Sequence, residues 1–390
     1  MPDSVSPELA HHFTDFAHTY PHLPLYSAIA RGVADDPEVA SLLTVARPGQ
    51  ARPVLLLAAL HDLVLRSPDV AAARWYSSVG GSAVGSLASG GDPWPDVRST
   101  LISHAASLRA TIATRSTQTN EVNRVVFVAA LLAAAACDVP SAPVALVELG
   151  CSAGLLLGLD RYRISVGTTV VGDPSSPVAC AGSLRPGSAA LATPSPPTAP
   201  SGSGDAVGWA GSGGLPVIVE RVGLDLAPVA LDDADEVRWL EACLWPDQPE
   251  RLERFRAAVA RLRPDPPLVV AGDMVDDLAS VAHSARAVAT AVSGADGVHL
   301  VVMSNWALTY VKRDRRPLIA STLADLAADG RPVSWLTAEP PGAVPGITPP
   351  PDIAPGGETV LGLRRWRQGR ERPPTVVGTA HPHAPWLHLL

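Results

Sequence analysis

The stretch Val144-Ala-Leu-Val-Glu-Leu-Gly-Cys-Ser-Ala-Gly-Leu-Leu-Leu157 constrains the fold of this chain more than any other. Val144 to Leu149 is apolar and β-branched except for Glu148, which is typical of a strand buried on both faces of a parallel sheet. Gly150 to Gly154 contains only small residues, so the chain can turn tightly and let a ligand approach its backbone. Leu155 to Tyr162 then predicts a helix, whose first N–H groups would be free to bind a ligand.

Two kinds of ligand chemistry fit this turn. Glu148-x-Gly150-x-Ser152-x-Gly154 resembles the first motif of class I S-adenosylmethionine-dependent methyltransferases, in which the turn holds the amino-acid end of the cofactor. That resemblance implies that these four residues bind S-adenosylmethionine. Gly150-x-Ser152-x-Gly154 also matches the nucleophile elbow of an α/β-hydrolase, with Ser152 as the nucleophile. A tight turn without ligand chemistry is the third interpretation.

The composition narrows the class of protein. The chain has 390 residues, a formal charge of −8 and 47% hydrophobic residues, which suits two domains and does not indicate nucleic-acid binding. Its four cysteines lack C-x-x-C spacing, which argues against a zinc site or a disulfide framework. No signal peptide is visible, and the longest apolar run, Val125 to Cys137, is too short to span a bilayer. We expect a soluble cytoplasmic protein that acts on a small molecule, without metal, nucleic acid or membrane.

The periodicity changes near residue 140. Before it, apolar residues recur at three- and four-residue spacing, as in helices, and after it strand and helix patterns alternate. We therefore expect an all-helical N-terminal cap over residues 1–140 and an α/β, Rossmann-like sheet domain of the methyltransferase type over residues 141–390. A Pro-, Ser- and Gly-rich insertion is predicted near residues 183–215. The predicted cap helices are Glu8 to Tyr20, Leu25 to Ala34, Glu38 to Ala46, Pro53 to Arg66 and Pro95 to Arg115.

One segment of the cap is too polar to serve only as packing. Residues 115–124 concentrate hydroxyl, amide, acidic and arginine side chains before the apolar run that leads into the Val144 strand. Helix capping needs one or two such residues. Because buried polar groups need partners, Thr119, Asn120, Glu121 and Arg124 are predicted to line a ligand site near the glycine turn.

Polar residues also follow the later strand patterns. Asp225 ends a β-branched run and resembles the second methyltransferase motif, in which an acid binds the ribose hydroxyls. Asp173, closer in sequence to the glycine turn, is the alternative ribose ligand. Asp273 ends the next apolar run, at the place that meets the adenine in that resemblance. Ser304 and Asn305 end a further run, where substrate-contacting groups lie.

The predicted elements follow the order of class I methyltransferases: strand, acid, strand, Gly-Asp, strand, polar edge, helix, strand, hairpin. The hydrolase alternative also has some support, because Ser152, Asp273 and His381 or His383 occur in the order Ser, Asp, His. A hydrolase sheet, however, places several strands before its nucleophile, and Glu148 has no role in an elbow. We favour methyl transfer to a small-molecule acceptor, with no catalytic residue assigned. The hydrolase and a non-catalytic methyltransferase-like binding protein remain alternatives.

The chain as a whole resembles an uncharacterised bacterial domain family of unknown function. The shared motifs lie at Thr117–Glu121, Glu148–Leu155, Asp160–Tyr162, Gly172–Val178, Gly223–Pro228 and Arg238–Pro246. The family pattern has a His-Ser pair after the fourth strand, where this chain has Ser304 and Asn305. The resemblance implies a methyltransferase-like fold and supplies no substrate.

Overall fold

The computed structural model describes residues 7–82, 87, 89–191, 214–351, 353 and 357–390. Most of the predicted insertion, residues 192–213, lies outside the described residues. The chain divides into two compact units, and each unit contains two segments. The first unit is Met1–Asn120 with Asp232–Arg256, and the second is Glu121–Leu231 with Ala257–Leu390. These units divide at residue 120, and residues 232–256 belong to the first of them, whereas the boundary near residue 140 remains a prediction from the sequence.

The first unit is helical. Several of its helices carry proline in their first turn, where the missing N–H costs nothing and the fixed φ favours helix initiation. The segment predicted as one helix from Pro95 breaks at His104, whose ring Nδ1 lies 3.0 Å from the Thr100 carbonyl oxygen. The helices are Pro7–Thr19, Pro24–Ala34, Pro37–Ala40, Pro53–Arg66, Trp94–Ser103, Ala105–Thr114, Ala234–Ala242 and Pro249–Leu262, the last shared with the second unit beyond Arg256.

The second unit is mixed α/β and contains a 12-stranded sheet. The strand order is β3-β2-β4-β12-β11-β9-β8-β7-β1-β5-β6, and β10 pairs with β9. The neighbours β8, β7, β1, β5 and β6 are all parallel, whereas β9 is antiparallel to β8. The strands are β1 Val144–Leu149, β2 Arg163–Val166, β3 Thr169–Gly172, β4 Ala179–Leu184, β5 Ile218–Asp225, β6 Leu268–Ala271, β7 His299–Asn305, β8 Val333–Glu339, β9 Thr359–Arg367, β10 Arg370–Glu371, β11 Thr375–Ala380 and β12 Trp386–Leu389.

Helices cover the sheet of the second unit. Val125–Ala136 is apolar around its whole circumference, almost entirely buried, and packs on β8 and β9. Leu278–Ser293 packs on β1 and β5, and Arg316–Leu326 packs on β8. The sequence analysis did not predict the Leu278–Ser293 helix. Its buried face consists of Leu278, three alanines and Arg286, so it lacks the row of large apolar residues that indicates a helix packed on a sheet.

The segment after β1 corrects a prediction. Leu155–Arg161 is a short 3-10 helix, and not the α-helix expected from the strand–turn–helix pattern. The Tyr162 hydroxyl donates to the Leu155 carbonyl oxygen at 2.7 Å, and β2 starts at Arg163. A segment this short has few aligned peptide dipoles. The helix-terminus attraction for a ligand that we expected at this turn is therefore not available.

Candidate functional site

At β1 the side of the sheet on which successive strands are added changes. From β1 the chain adds β5 and β6 on one side, then crosses back to add β7 and β8 on the other. In open parallel sheets, ligands bind at the carboxyl ends of the strands where this reversal occurs. Leu149, the last residue of β1, pairs with Leu224 of β5 and Ser304 of β7. We call the chain around these ends, residues 148–154, 225 and 304–308, the switch point.

The glycine turn of the switch point has an unusual backbone. Gly150, Ser152 and Gly154 all have left-handed φ angles, of 72°, 52° and 67°. Glycine adopts this conformation freely, whereas for a serine it is uncommon and worth explaining. Two hydrogen bonds hold the turn to the exit of β5. The Gly150 N–H donates to the Leu224 carbonyl at 2.8 Å, and the Ser152 N–H donates to Asp225 Oδ2 at 2.8 Å.

Gly150 and Gly154 leave space for side chains of neighbouring loops. A Cβ on Gly150 would lie 2.8 Å from the Cβ of Ala307, just after β7. A Cβ on Gly154 would lie 2.9 Å from Pro267 Cγ, just before β6. The small residues that suggested an open ligand cradle therefore also serve close packing between neighbouring loops.

The two candidate ribose ligands have different surroundings. Asp225 is half-buried at the end of β5 and accepts one N–H on each carboxylate oxygen, from Ser152 and, at 2.9 Å, from Ala227. Asp173 follows β3, away from β1 in the strand order, and its Oδ1 accepts from both the N–H and the hydroxyl of Ser175. The hydroxyl and N–H of Ser175 lower the pKa of Asp173. The structure thus places Asp225, and not Asp173, at the switch point.

Glu148 is the most deeply buried acid of the turn. Its side chain is 2% exposed, and burial raises its pKa well above the usual range. The negative charge of Asp225 raises this pKa further, while the Asn305 amide and the Arg124 guanidinium lower it. The Asn305 amide therefore lies near the Glu148 carboxyl group, but the two groups do not form a hydrogen bond of standard geometry. Among the described residues, Glu148 Oε2, Ser304 Oγ and both amide atoms of Asn305 are buried without a hydrogen-bond partner.

Glu339, the last residue of β8, was not predicted from the sequence. It is fully buried, and its Oε1 accepts the N–H of Ala307 at 3.1 Å and of Leu308 at 3.3 Å. Burial raises its pKa to about 7, although these N–H groups, Ser304 and Arg124 oppose the shift. The signal that identifies it is an acid at the end of an otherwise buried strand, the same pattern that drew attention to Glu148.

The polar segment at residues 115–124 is divided between the two units. Thr119, which is exposed, and Asn120 belong to the first unit, and Glu121 and Arg124 to the second. Glu121 Oε1 accepts the Asn123 N–H at 3.0 Å, as a helix-capping group does. Arg124 is 7% exposed, donates to the Pro382 carbonyl at 3.0 Å and lowers the pKa values of Glu148 and Glu339. Within the second unit, the positive charge of Arg124 therefore acts on Glu148 of the switch point.

Asp273, the predicted adenine contact, lies just beyond β6. Its Oδ1 accepts the N–H groups of Val275 at 2.8 Å and Asp276 at 3.1 Å, and its carboxylate lies 3.5 Å from the Arg315 guanidinium. Partial burial raises the pKa of Asp273, but these N–H groups and Arg315 outweigh it, so that the pKa is lowered. The hydrolase alternative needs Asp273 to orient a histidine, yet this carboxylate is already committed to Arg315 and to backbone N–H groups.

The described residues offer neither a metal-binding cluster nor a membrane-spanning helix. Across the described ranges, no cluster of three or more His, Cys, Asp and Glu side chains is arranged to bind a metal ion. No helix within the described part of the chain has the length and apolar character needed to cross a membrane.

Comparison with known proteins identifies a family. Neither the curated proteins nor the solved structures gave a match to this chain. One family model, described as "Uncharacterized protein conserved in bacteria (DUF2332)", matches residues 10–388. That match spans nearly the whole chain and includes both units. The chain therefore belongs to this uncharacterised bacterial family.

Proposed function

We propose that the protein binds S-adenosylmethionine at the switch point and transfers its methyl group to a small-molecule acceptor. The observation that carries the proposal is a set of buried polar side chains, Glu148, Ser304 and Asn305, with atoms that make no well-formed hydrogen bond. Buried polar groups without partners are rare in native proteins, and a bound ligand is one reason for them. They lie at the carboxyl ends of two adjacent parallel strands, β1 and β7, where the strand order reverses.

The strand order supports the same ligand class. The succession β6-β5-β1-β7-β8 is that of a doubly wound sheet, and the resemblance to class I methyltransferases implies such a sheet. The short 3-10 segment after the glycine turn is a departure from this plan. Binding at the turn would therefore depend more on side chains than on a helix terminus.

The residues of the switch point would have distinct roles. Glu148 and Asn305 would accept and donate hydrogen bonds to the amino-acid end of the cofactor, Asp225 would bind the ribose, and Asp273 would meet the adenine. The bound cofactor would supply an electrophilic methyl group on a sulfonium. The chain's part is to align acceptor and donor and to exclude water, and alignment alone accelerates such transfers strongly.

Calorimetry with S-adenosylmethionine and the full chain tests the proposal. We expect binding by the wild type, and Asn305→Ala should weaken it by roughly tenfold or more, because one buried hydrogen-bonding group contributes about 1–3 kcal/mol. Asp225→Asn and Asp173→Asn form a matched pair, of which only the first should weaken binding. Thermal unfolding checks that each variant is folded. The proposal fails if the folded wild type binds neither S-adenosylmethionine nor S-adenosylhomocysteine.

One observation favours a second candidate, a serine hydrolase. A nucleophile elbow holds its serine in a strained turn directly after a strand, and Ser152 has a left-handed φ of 52° at that place. The commitment of Asp273 to Arg315 counts against this candidate. Ser152 can be tested directly, because serine hydrolases react with fluorophosphonates.

A further inference from the structure

The outer side of the Leu278–Ser293 helix carries no permanent charge. Arg286 is the only Asp, Glu, Lys or Arg among its 16 residues, and it is buried and donates to the Leu326 carbonyl at 2.9 Å. A surface helix normally places charged residues towards water, as Pro249–Leu262 does. An uncharged outer side is typical of a helix that packs against another surface. The exposed residues of the helix are Ala279, Ser280, His283, Ser284, Ala287, Val288, Ala291 and Val292.

Two valines make one flank of this helix apolar. Val288 is 46% exposed and Val292 is 66% exposed, and the two lie one turn apart. Arg286 lies on the opposite flank, where it bonds to the end of the Arg316–Leu326 helix. His283 is the one exposed residue of the helix that can ionise, and the helical repeat places it on the flank of Arg286 as well. The valine flank therefore faces away from the Arg316–Leu326 helix and has no ionisable group.

Edge strand β6 extends the apolar surface beside the valine flank. Leu268 pairs with Val222 of β5, so both side chains lie on the sheet face that the Leu278–Ser293 helix covers. The helix leads from the end of β6 back to the start of β7, and its second half therefore lies at the same end of the sheet as Leu268. Leu268 is 59% exposed. Exposed apolar side chains that lie together indicate an interaction surface, whereas single ones are ordinary. We call this surface the uncharged face; its residues are Leu268, Ser280, Ser284, Ala287, Val288, Ala291 and Val292.

The charge of the chain indicates which partner fits the uncharged face. The formal charge of −8 repels other acidic surfaces, and a basic partner would bind where acids are exposed. Two copies of the chain also repel each other wherever their acids meet. On the uncharged face this repulsion is weakest, and each copy offers the other an apolar surface of equal extent. A second copy of the chain is therefore the partner that this face fits.

A twofold axis brings two uncharged faces together without a gap. In an antiparallel pair of these helices, a twofold axis between them places both valine flanks on the same side of the pair. Ser280, Ser284, Ala287 and Ala291 recur at spacings of four and three residues and form one row of small side chains. Small side chains let two helix axes approach to about 8 Å. The helix is about 24 Å long, so the row offers about four turns of contact.

We propose that the protein forms a twofold dimer through the uncharged face, in which the Leu278–Ser293 helices of two copies pack antiparallel and Leu268, Val288 and Val292 fill the flank beside them. Removal of these side chains from water drives the association. No ion has to lose its hydration when the faces meet, because the face has no charged group. The dimer does not depend on the proposed function, since no residue of the uncharged face belongs to the switch point.

Sedimentation velocity of the full chain without ligand tests the dimer. One helix pair and its flank form a small interface, so we expect a dissociation constant on the order of micromolar. The wild type should change from monomer to dimer as its concentration rises from about 0.1 to about 100 μM. A wild type that stays monomeric over this range, or that forms larger assemblies without a dimer, overturns the inference.

Val288→Glu places a charge within the proposed interface. It should weaken association by roughly a hundredfold, because in a twofold dimer the charge occurs twice and meets only apolar groups. Leu318→Glu is the matched control, since Leu318 of the Arg316–Leu326 helix is 49% exposed and lies outside the uncharged face. It should dimerise as the wild type does.

Ala291→Glu repeats the test on the row of small side chains, and thermal unfolding checks that each variant is folded. Ala291 is exposed, so this change leaves the core of the second unit untouched. A dimer that both Val288→Glu and Ala291→Glu leave intact forms through another surface and overturns the inference. So does a dimer that Leu318→Glu weakens as much as Val288→Glu.

Discussion

Ser152 combines a left-handed backbone with a place at the centre of the glycine turn. For a non-glycine residue such a conformation costs on the order of 1–3 kcal/mol and persists only where the surroundings require it. The N–H bond to Asp225 at 2.8 Å and the bond from the Val229 N–H to the Ser152 carbonyl at 3.1 Å supply this requirement. The strain therefore has an architectural cause and does not by itself indicate a nucleophile.

We therefore expect Ser152 to be unreactive. A fluorophosphonate probe should leave Ser152 unlabelled, and Ser152→Ala should keep ligand affinity within a few-fold of the wild type. Ser152→Gly is the matched control, because it removes the hydroxyl and also relieves the left-handed strain. Labelling of Ser152, or a loss of several orders of magnitude in an esterase activity, would instead establish the hydrolase.

Sequence reasoning at this scale identifies which residues are unusual but not what they contact. Glu148 stands out as an acid within a buried strand, and the structure leaves one of its oxygens without a partner. Asp225 was predicted as a ligand residue, and its bonds to the N–H groups of Ser152 and Ala227 depend on how two loops meet. Glu339 has the same sequence pattern as Glu148 and was missed, because no family motif pointed to it.

At the scale of elements, Asn123 connects three parts of the second unit. Its Nδ2 donates to the carbonyls of Ala181, His383 and Ala384 at 3.0 to 3.2 Å, and its Oδ1 accepts the Ala181 N–H at 2.9 Å. One amide thus joins the start of the Val125–Ala136 helix to β4 and to the turn between β11 and β12. Part of the polar character of residues 115–124 therefore has a structural explanation.

We expect Asn123→Ala to lower the free energy of unfolding by about 3 kcal/mol, because it leaves several buried backbone groups without partners. Ser183→Ala is the control, since the Ser183 hydroxyl also bonds across these elements, to Pro385, but is exposed. Its loss should cost less than about 0.5 kcal/mol. Urea denaturation measures both, and equal effects would show that the Asn123 bonds contribute little.

The elements that could be predicted are those with a strong local pattern. The runs of β1, β7 and β8 are buried and mostly apolar, β5 is rich in β-branched residues, and all four form strands as expected. The strands β4 and β12 were not predicted. β4 consists mainly of small residues without β-branched side chains, and β12 has only four residues and pairs with the distant β4. The Leu155–Arg161 segment has nearly the predicted extent and differs in type, because it is a 3-10 helix whose first carbonyl accepts the Tyr162 hydroxyl.

At the scale of the whole molecule, two buried histidines contribute to the response to acid. Burial lowers the pKa of His61 in the first unit to about 4 and that of His299 in the second unit to about 3. Both values lie below the 6.5 of a solvated histidine. The stability that they contribute is therefore present above pH 6.5 and is lost as the pH falls towards the folded values.

Replacement by glutamine tests this response in each unit. The free energy of unfolding of the wild type should fall, relative to that of His299→Gln, by about 1 kcal/mol for each pH unit between 6.5 and the folded value of about 3. The reason is that only the unfolded state of the wild type takes up the proton in this range. His61→Gln should behave in the same way in the first unit. Denaturation at several pH values provides the measurement. A difference between variant and wild type that does not change with pH would show that these histidines titrate normally.

The division into units was the least predictable feature. Residues 232–256 carry ordinary helical patterns that give no sign of their return to the first unit. Specific hydrogen bonds hold residues 232–256 within the first unit. Asp247 accepts the N–H groups of Leu25 and Tyr26 at 2.9 and 3.1 Å. His61 Nδ1 lies 3.1 Å from the carbonyl oxygens of Ala242 and Leu244. Local periodicity contains no information about partners so far apart in sequence.

The pairing of β12 with β4 has a consequence for the order of folding. The hydrogen bond from Ser183 to Pro385 beside this pairing closes a loop of 202 residues. Contacts between such distant residues form slowly, because the chain loses much conformational freedom before the contact repays it. During synthesis, β2, β3 and β4 are made long before β12. The edge of β4 that pairs with β12 therefore has no partner strand in this period. Until β12 is made, the β4 edge has free backbone groups that can pair with other chains, which favours aggregation.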